Sequence, residues 1–418
     1  MKKIAVGVCA LVFAVAALVW HLNTRDEPDL SAPVAAVNAT PELLARGAYL
    51  ARAGNCAACH TTRGGMPYAG GRGVDTPFGM VYSSNLTPDV RTGIGRWTAA
   101  EFWRALHNGR SQDGRLLYPV FPYPSYTTVT RADSDALYAY LHSLPATAQP
   151  ATPHALRWPF NQQVALAVWR AMYFTPASFQ SEPTQSAEWN RGAYLVRGLG
   201  HCGACHTARN ALGATDDRLD LAGGLIPVQN WYAPSLTSPQ EASVRDWPLE
   251  DAVRLLQTGV APQGTVLGPM AEVVQQSTQY LTLQDLTAMA TYLKALPHTS
   301  AEPKRGVPTT ARSVAGGAKL YGQHCAQCHG AEGQGVPGAY PALAGNRAVT
   351  LASTANLVHA VRNGGFAPAT AGNPRPFGMP PFVLVLSDAD IAAVLNHIRA
   401  SWGNHAAEVT ELEVSRRR

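Results

Sequence analysis

Apolar residues lie along the chain in two patterns. Behind Lys2 and Lys3, an unbroken apolar run extends from Ile4 to Trp20 and gives way to the polar segment His21–Pro28. Beyond it, apolar residues recur at helical spacing, in segments that are themselves repeated. Arg46-Gly-Ala-Tyr-Leu-Ala-Arg52 returns as Arg191-Gly-Ala-Tyr-Leu-Val-Arg197, and more loosely as Gly317-Ala-Lys-Leu-Tyr321. Each predicts an amphipathic helix. Short helices are predicted at Thr98–Asn108, Pro248–Thr258 and Ala355–Asn363, each ending at a glycine (Gly109, Gly259, Gly364) able to take a left-handed cap. A closing helix with an acidic first turn follows each time, at Asp135–Leu144, Asp285–Leu296 and Asp388–Arg399. Between the first two helices of repeats one and two, Ser84-Asn-Leu-Thr-Pro88 is echoed by Pro234-Ser-Leu-Thr237.

This pattern predicts an all-α protein of three tandem domains, 40–149, 188–299 and 313–405, preceded by the apolar segment 1–30 and followed by a polar, solvated tail, 406–418. Linkers rich in Pro, Thr, Ser and Ala separate them at 150–187 and 300–312. The first linker carries an apolar helix, Asn161–Phe174, that packs between domains or against a partner or membrane surface.

Composition sharpens the picture. With 46% hydrophobic and 15% charged residues the chain is globular, and its 31 prolines and 37 glycines imply long structured loops between short helices. The net charge of +5 is scattered, with no basic run, so nucleic acid is excluded as a partner. The N-terminal run reads as an export signal or an uncleaved membrane anchor. Ala14-Val15-Ala16 offers a cleavage site, but inside the run rather than after it. Either reading places the remainder of the chain outside the cytoplasm.

Six of the seven cysteines fall as Cys56/Cys59, Cys202/Cys205 and Cys325/Cys328, each pair followed at once by His60, His206 or His329. Cys9 lies in the apolar run. Two thiols three residues apart lie on one side of a helical turn and can add to the two vinyl groups of one haem, and the adjacent imidazole ligates the iron. Three disulfides would leave the histidines without a role, and tetrahedral zinc would need further ligands. Three covalently bound haem c groups are therefore expected, attached through Cys56, Cys59, Cys202, Cys205, Cys325 and Cys328, with His60, His206 and His329 as proximal ligands.

A methionine on the opposite side of the iron makes an electron carrier. Met270 in Gly268-Pro-Met270 and Met379 in Phe377-Gly-Met-Pro-Pro381 occupy the loop before the closing helix and are expected as sixth ligands. The equivalent loop of repeat one, Tyr118-Pro-Val-Phe-Pro-Tyr123, has Phe121 instead, which cannot ligate iron. Met80, His107 and a five-coordinate iron are the alternatives there, with Met80 preferred. Tyr138, Tyr292 and Trp402 are expected as haem-packing aromatics. No catalytic residue is expected.

With these motifs in place, the chain resembles the three-haem cytochrome c subunits of membrane-bound bacterial dehydrogenases. The likeness spans about residues 40–405 and includes Gly79–Asp89 with Thr92-Gly-Ile-Gly95, Gly268-Pro-Met-Ala-Glu-Val-Val274, Tyr280–Leu296 and Arg399-Ala-Ser-Trp-Gly-Asn404. The resemblance implies class I cytochrome c-like domains and an electron-transfer role, with a dehydrogenase catalytic subunit as donor and ubiquinone as acceptor. Phe121 looks like the branch that serves molybdenum aldehyde or nicotinate dehydrogenases. The alternatives are a cytochrome subunit of a quinoprotein alcohol or flavin-dependent sugar dehydrogenase, and, in another class, a peroxidase-like enzyme at the first haem.

Overall fold

The computed structural model describes residues 1–30, 37–298 and 311–417. Nearly all of the second linker, 300–312, lies outside that range. The chain divides into two compact units, one of residues 1–184 with 194–204 and 210–214, the other of 185–193, 205–209 and 215–418.

In the first unit, Pro41–Ala53 begins at Thr40, whose hydroxyl accepts the Leu43 N–H, and Pro41 stands at the first helical position, where its missing N–H costs nothing. The closing helix runs Arg131–His142, four residues earlier than its acidic cluster suggested, because Thr130 caps it by accepting the Asp133 N–H. Gly47 sets the crossing of these two helices: a Cβ on it would overlap the Ala136 carbonyl. Beside the crossing, Arg46 Nε donates to Asp133 at 2.7 Å. Leu50, Phe102, Leu106, Tyr126, Leu137 and Leu141 form the core around it. The third helix, Ala99–Asn108, has a complete capping box between Thr98 and Glu101.

The second unit repeats the device twice. Gly192 on Ala187–Arg197 meets the Ala288 carbonyl of Leu283–Lys294, with Arg191 bonded to Asp285 through two 2.8 Å contacts. Gly317 on Ala311–His324 meets the Ala393 carbonyl of Asp388–Ala400. The repeated Arg-Gly-Ala-Tyr sequence is thus a crossing motif, with glycine at the point of closest approach and arginine locking the partner helix.

Among the expected glycine caps, Gly109 and Gly259 are left-handed, whereas Gly364 has φ 62° but ψ −158° and turns the chain into a strand instead. Short antiparallel strand pairs line the loops, the largest a three-stranded sheet of Gly73–Thr76, Gly79–Tyr82 and Ala155–Leu156. The segment expected as a solvated tail, 406–418, instead carries a capped helix, Glu411–Ser415, and buries Val409 and Val414 in the core of the last helix pair. Polarity misled here. The run is polar outside, but two valines and the carbonyl of Ala407, which accepts from buried Arg399, face inward.

Candidate haem attachment sites

The first site begins at Asn55, whose left-handed backbone (φ 52°) starts the turn Cys56–His60. His60 Nδ1 lies 2.7 Å from the Ser84 carbonyl, which can only accept, so this nitrogen carries the proton and leaves the Nε2 lone pair for a metal. Burial lowers the His60 pKa, with the carbonyl contact opposing, and favours the neutral ligating form. The Gly70 N–H donates to the His60 carbonyl at 2.7 Å. Gly70 has φ +77°, and a Cβ there would stand 2.5 Å from Ser84. A glycine is required to bring the histidine loop and the Ser84 segment together.

The same three-part cradle recurs in the second unit. His206 Nδ1 donates to the Pro234 carbonyl at 2.7 Å, Gly223 N–H donates to the His206 carbonyl at 2.7 Å, and a Cβ on Gly223 would lie 2.8 Å from Ser235 N. His329 Nδ1 donates to the Pro341 carbonyl at 2.9 Å, Gly335 N–H to the His329 carbonyl at 2.8 Å, and a Cβ on Gly335 would lie 2.6 Å from Ala342 N. All three histidines present the same ring nitrogen.

The six motif cysteines stand unbridged. Burial and the neighbouring Cys59 push the Cys56 thiol up to about 12, and burial with Cys328 pushes Cys325 to about 11. No cluster of three or more His, Cys, Asp or Glu side chains suited to a metal occurs among the described residues. Paired thiols beside an imidazole with Nε2 available fit a covalently attached haem.

On the expected sixth-ligand side, Met379 lies in a strand pair with Gly365 and, like Leu320 and Leu357, packs against the core formed by Val358, Ile391 and Leu395. The same two leucines also pack against the cluster containing Cys325, so they bridge the two clusters. Met270 sits not in a loop but in the first turn of the helix Gly268–Gln276. That turn presses on Trp231, where a Cβ at Gly268 would be 2.6 Å from the indole, three residues before the Pro234 carbonyl that holds His206.

Phe121 lies edge-on to Tyr126 at 5.4 Å, and Tyr126 Oη donates to the Gly54 carbonyl just before Cys56. Met80 belongs to the three-stranded sheet, opposite Asp75 and Ala155, with its sulfur over Gly73. His107 is buried with Trp103 stacked on it at 4.6 Å, and its Nδ1 donates to the Thr127 carbonyl.

The carbonyl acceptors were legible only as an unexplained echo. Ser84 and Pro234 are the first residues of the repeated Ser-Asn-Leu-Thr and Pro-Ser-Leu-Thr segments, and Leu86 and Leu236 within them make matching 2.8 Å bonds to Tyr68 and Leu221. Tyr126, whose ring also meets His201 at 5.5 Å just ahead of Cys202, carried no sequence signal.

Comparison with known proteins agrees with this chemistry. The cytochrome c family model matches residues 44–145 and 314–402. The cytochrome c subunit of quinone alcohol dehydrogenase from Gluconacetobacter polyoxogenes is 41% identical, over 90% of this chain and 85% of that protein. The gluconate 2-dehydrogenase cytochrome c subunit of Pantoea cypripedii is 38% identical, over 90% of each chain. A nicotinate dehydrogenase subunit of Pseudomonas putida is 41% identical over 89% of this chain, and the match covers 32% of that longer protein.

Proposed function

The chain belongs to the family of cytochrome c subunits of bacterial dehydrogenases, and we propose that it carries electrons through three covalently held haem groups from a periplasmic catalytic subunit to ubiquinone. The observation that carries the count is the threefold cradle: His60, His206 and His329 each donate Nδ1–H to a backbone carbonyl and have their own carbonyl held by a glycine N–H. The geometry supports one class I cytochrome c-like domain per cradle.

Bound haem supplies one-electron exchange between ferric and ferrous iron. The chain's part is to hold that exchange at a fixed potential and exclude other reactions. Cys56 with Cys59, Cys202 with Cys205, and Cys325 with Cys328 attach the groups. The Nδ1–carbonyl bonds fix the imidazole tautomer and ring orientation. Met270 and Met379 would supply thioethers at the second and third sites, and Met80 is the preferred candidate at the first.

Three further readings complete the proposal. The helix Lys2–Thr24, with mean hydropathy 2.4 over its most apolar window and no buried residue there, serves as an anchor in the inner membrane, with the domains on the periplasmic face. Phe121 favours a molybdenum aldehyde- or nicotinate-type catalytic partner over a quinoprotein or flavoprotein. The apolar contact of Phe121 with Tyr126 disfavours a peroxidase-like pocket at the first site, which would need polar groups there.

The mass of the purified holoprotein tests the count. Three haem additions are expected, falling to two when Cys202 and Cys205 are both changed to alanine. Two additions in the unaltered chain would sink the three-haem reading. Metal analysis of the co-purified complex tests the partner: molybdenum supports it, and a quinone or flavin cofactor without molybdenum overturns it.

A further inference from the structure

The helix Gln163–Tyr173 is turned inside out for a water-soluble protein. The side chains of Gln163 and Arg170 both reach back to the body of the first unit. Gln163 accepts from the Leu116 N–H at 2.8 Å and donates to the Leu116 carbonyl. Arg170, only 2% exposed, donates to Asn23 Oδ1 at 2.9 Å and to the Asn108 carbonyl at 2.6 Å, with its guanidinium over the Tyr123 and Phe174 rings. The outward face holds Val164, Val168 and Met172, spaced four residues apart and 76%, 42% and 55% exposed. Trp158 just upstream is 79% exposed. Ordinary surface helices place their charged residues outside. This one has none there.

The neighbour of this helix explains the inversion. The N-terminal helix is uncovered from Lys2 through Leu18, and its first partly covered residue is Val19. Seventeen helical residues rise about 26 Å, close to the hydrocarbon thickness of a bilayer. Immediately beyond, Asn23 is buried and donates to the Ala167 carbonyl at 2.9 Å, and Arg25 donates to the Phe174 carbonyl at 2.7 Å. Arg110 pairs with Glu27 at 2.5 Å and donates to the Asn23 carbonyl. The helix Gln163–Tyr173 is therefore locked beside the level at which the N-terminal helix would leave the membrane.

We propose that the face formed by Val164, Val168 and Met172, with Trp158, lies in the headgroup–acyl boundary of the same bilayer that the N-terminal helix spans. This rests on the anchor reading above and adds a second contact to it. Apolar side chains at the boundary gain burial, and an indole suits an interface with one wet side. The Asn23–Arg170 bond makes the two contacts rigid, so the first attachment site is held at a fixed height and orientation over the lipid.

The test uses the full-length holoprotein in phosphatidylcholine–phosphatidylglycerol vesicles doped with a photoactivatable diazirine phospholipid, with cross-links mapped by mass spectrometry. Two labelled regions are expected, residues 2–18 and the peptide carrying 158–173. The second should exceed the exposed residues Asp113 and Arg115 by at least about tenfold, since burying a single apolar side chain is already worth that much. A variant with Val164→Glu, Val168→Glu and Met172→Glu should lose the second region and keep the first, with its haem content unchanged. Labelling of 2–18 without 158–173 overturns this proposal and leaves the anchor standing. Absence of both removes the anchor reading as well. Loss of the 158–173 labelling when the catalytic subunit is bound would assign the face to that partner and overturn the lipid contact.

Discussion

Gly192 and the carbonyl of Ala288 touch so closely that no other residue fits between the two helices: a Cβ added to Gly192 would sit inside the oxygen's contact radius. Gly47 stands in the same relation to Ala136, and Gly317 to Ala393. The obstacle is backbone in each case and cannot rotate away. Gly192→Val should therefore force the helices apart and lower stability by about 3 kcal/mol, at the upper end of overpacking costs. The denaturant midpoint of the holoprotein measures this. An exposed control in the same unit, Gly264→Ala, where a Cβ meets nothing within 4 Å, should leave it nearly unchanged.

The cradle glycines act on the site rather than on the fold. Gly223 has φ +88°, and a side chain there would press on Tyr232 and Ser235, on either side of Pro234. Gly223→Ala should displace the Pro234 carbonyl from His206, weaken the imidazole's fixed orientation and shift the reduction potential of one haem while leaving the other two in place. Potentiometric titration resolves the three steps. Three unchanged potentials would show that the carbonyl bond does not tune the iron.

The three Cys-x-x-Cys-His runs stood out in the sequence because covalent attachment calls for two thiols and an imidazole at fixed spacing. Helix positions were nearly as legible, but the caps at Thr130 and Thr282 start two closing helices at Arg131 and Leu283, ahead of the expected Asp135 and Asp285. Contacts between distant segments were not. The Arg46–Asp133 and Arg191–Asp285 pairs join residues 87 and 94 positions apart, and only the structure reveals that the repeated arginine exists to meet them. The polar-looking C-terminal segment failed for the opposite reason. Its burial depends on Val409 and Val414 alone, too few to set a period.

His107 provides a pH-dependent handle on the first unit. Burial lowers its pKa below the ordinary 6.5, outweighing the Thr127 carbonyl and Asp26, which both favour the charged form. The unfolded chain then binds a proton at a higher pH than the folded one. Stability from this group is intact above pH 6.5 and is lost as pH falls through the depressed folded value. The loss is at most about 1.4 kcal/mol per pH unit. Chemical denaturation between pH 7.5 and 5 should show this decline, and His107→Gln should flatten it. An equal slope in the variant would assign the effect to other groups.

Phe121 is where the proposed ligation of the first site can be tested. It lies against Tyr126, within one hydrogen bond of the residue that precedes Asn55 and Cys56, and the segments holding Met270 and Met379 are its sequence counterparts. Carbon monoxide binds ferrous haem only where the sixth position is open or weakly held, so the variants separate cleanly. Met270→Leu and Met379→Leu should each make one further haem reactive toward carbon monoxide and lower its potential, because a thioether ligand raises it. If Met80 holds the first iron, the unaltered protein is unreactive and Met80→Leu opens that haem. If the unaltered protein already binds one equivalent, Met80 is not the ligand. In that case Phe121→Met should close the site and raise its potential, since the change places a sulfur in the segment that corresponds in sequence to those of Met270 and Met379.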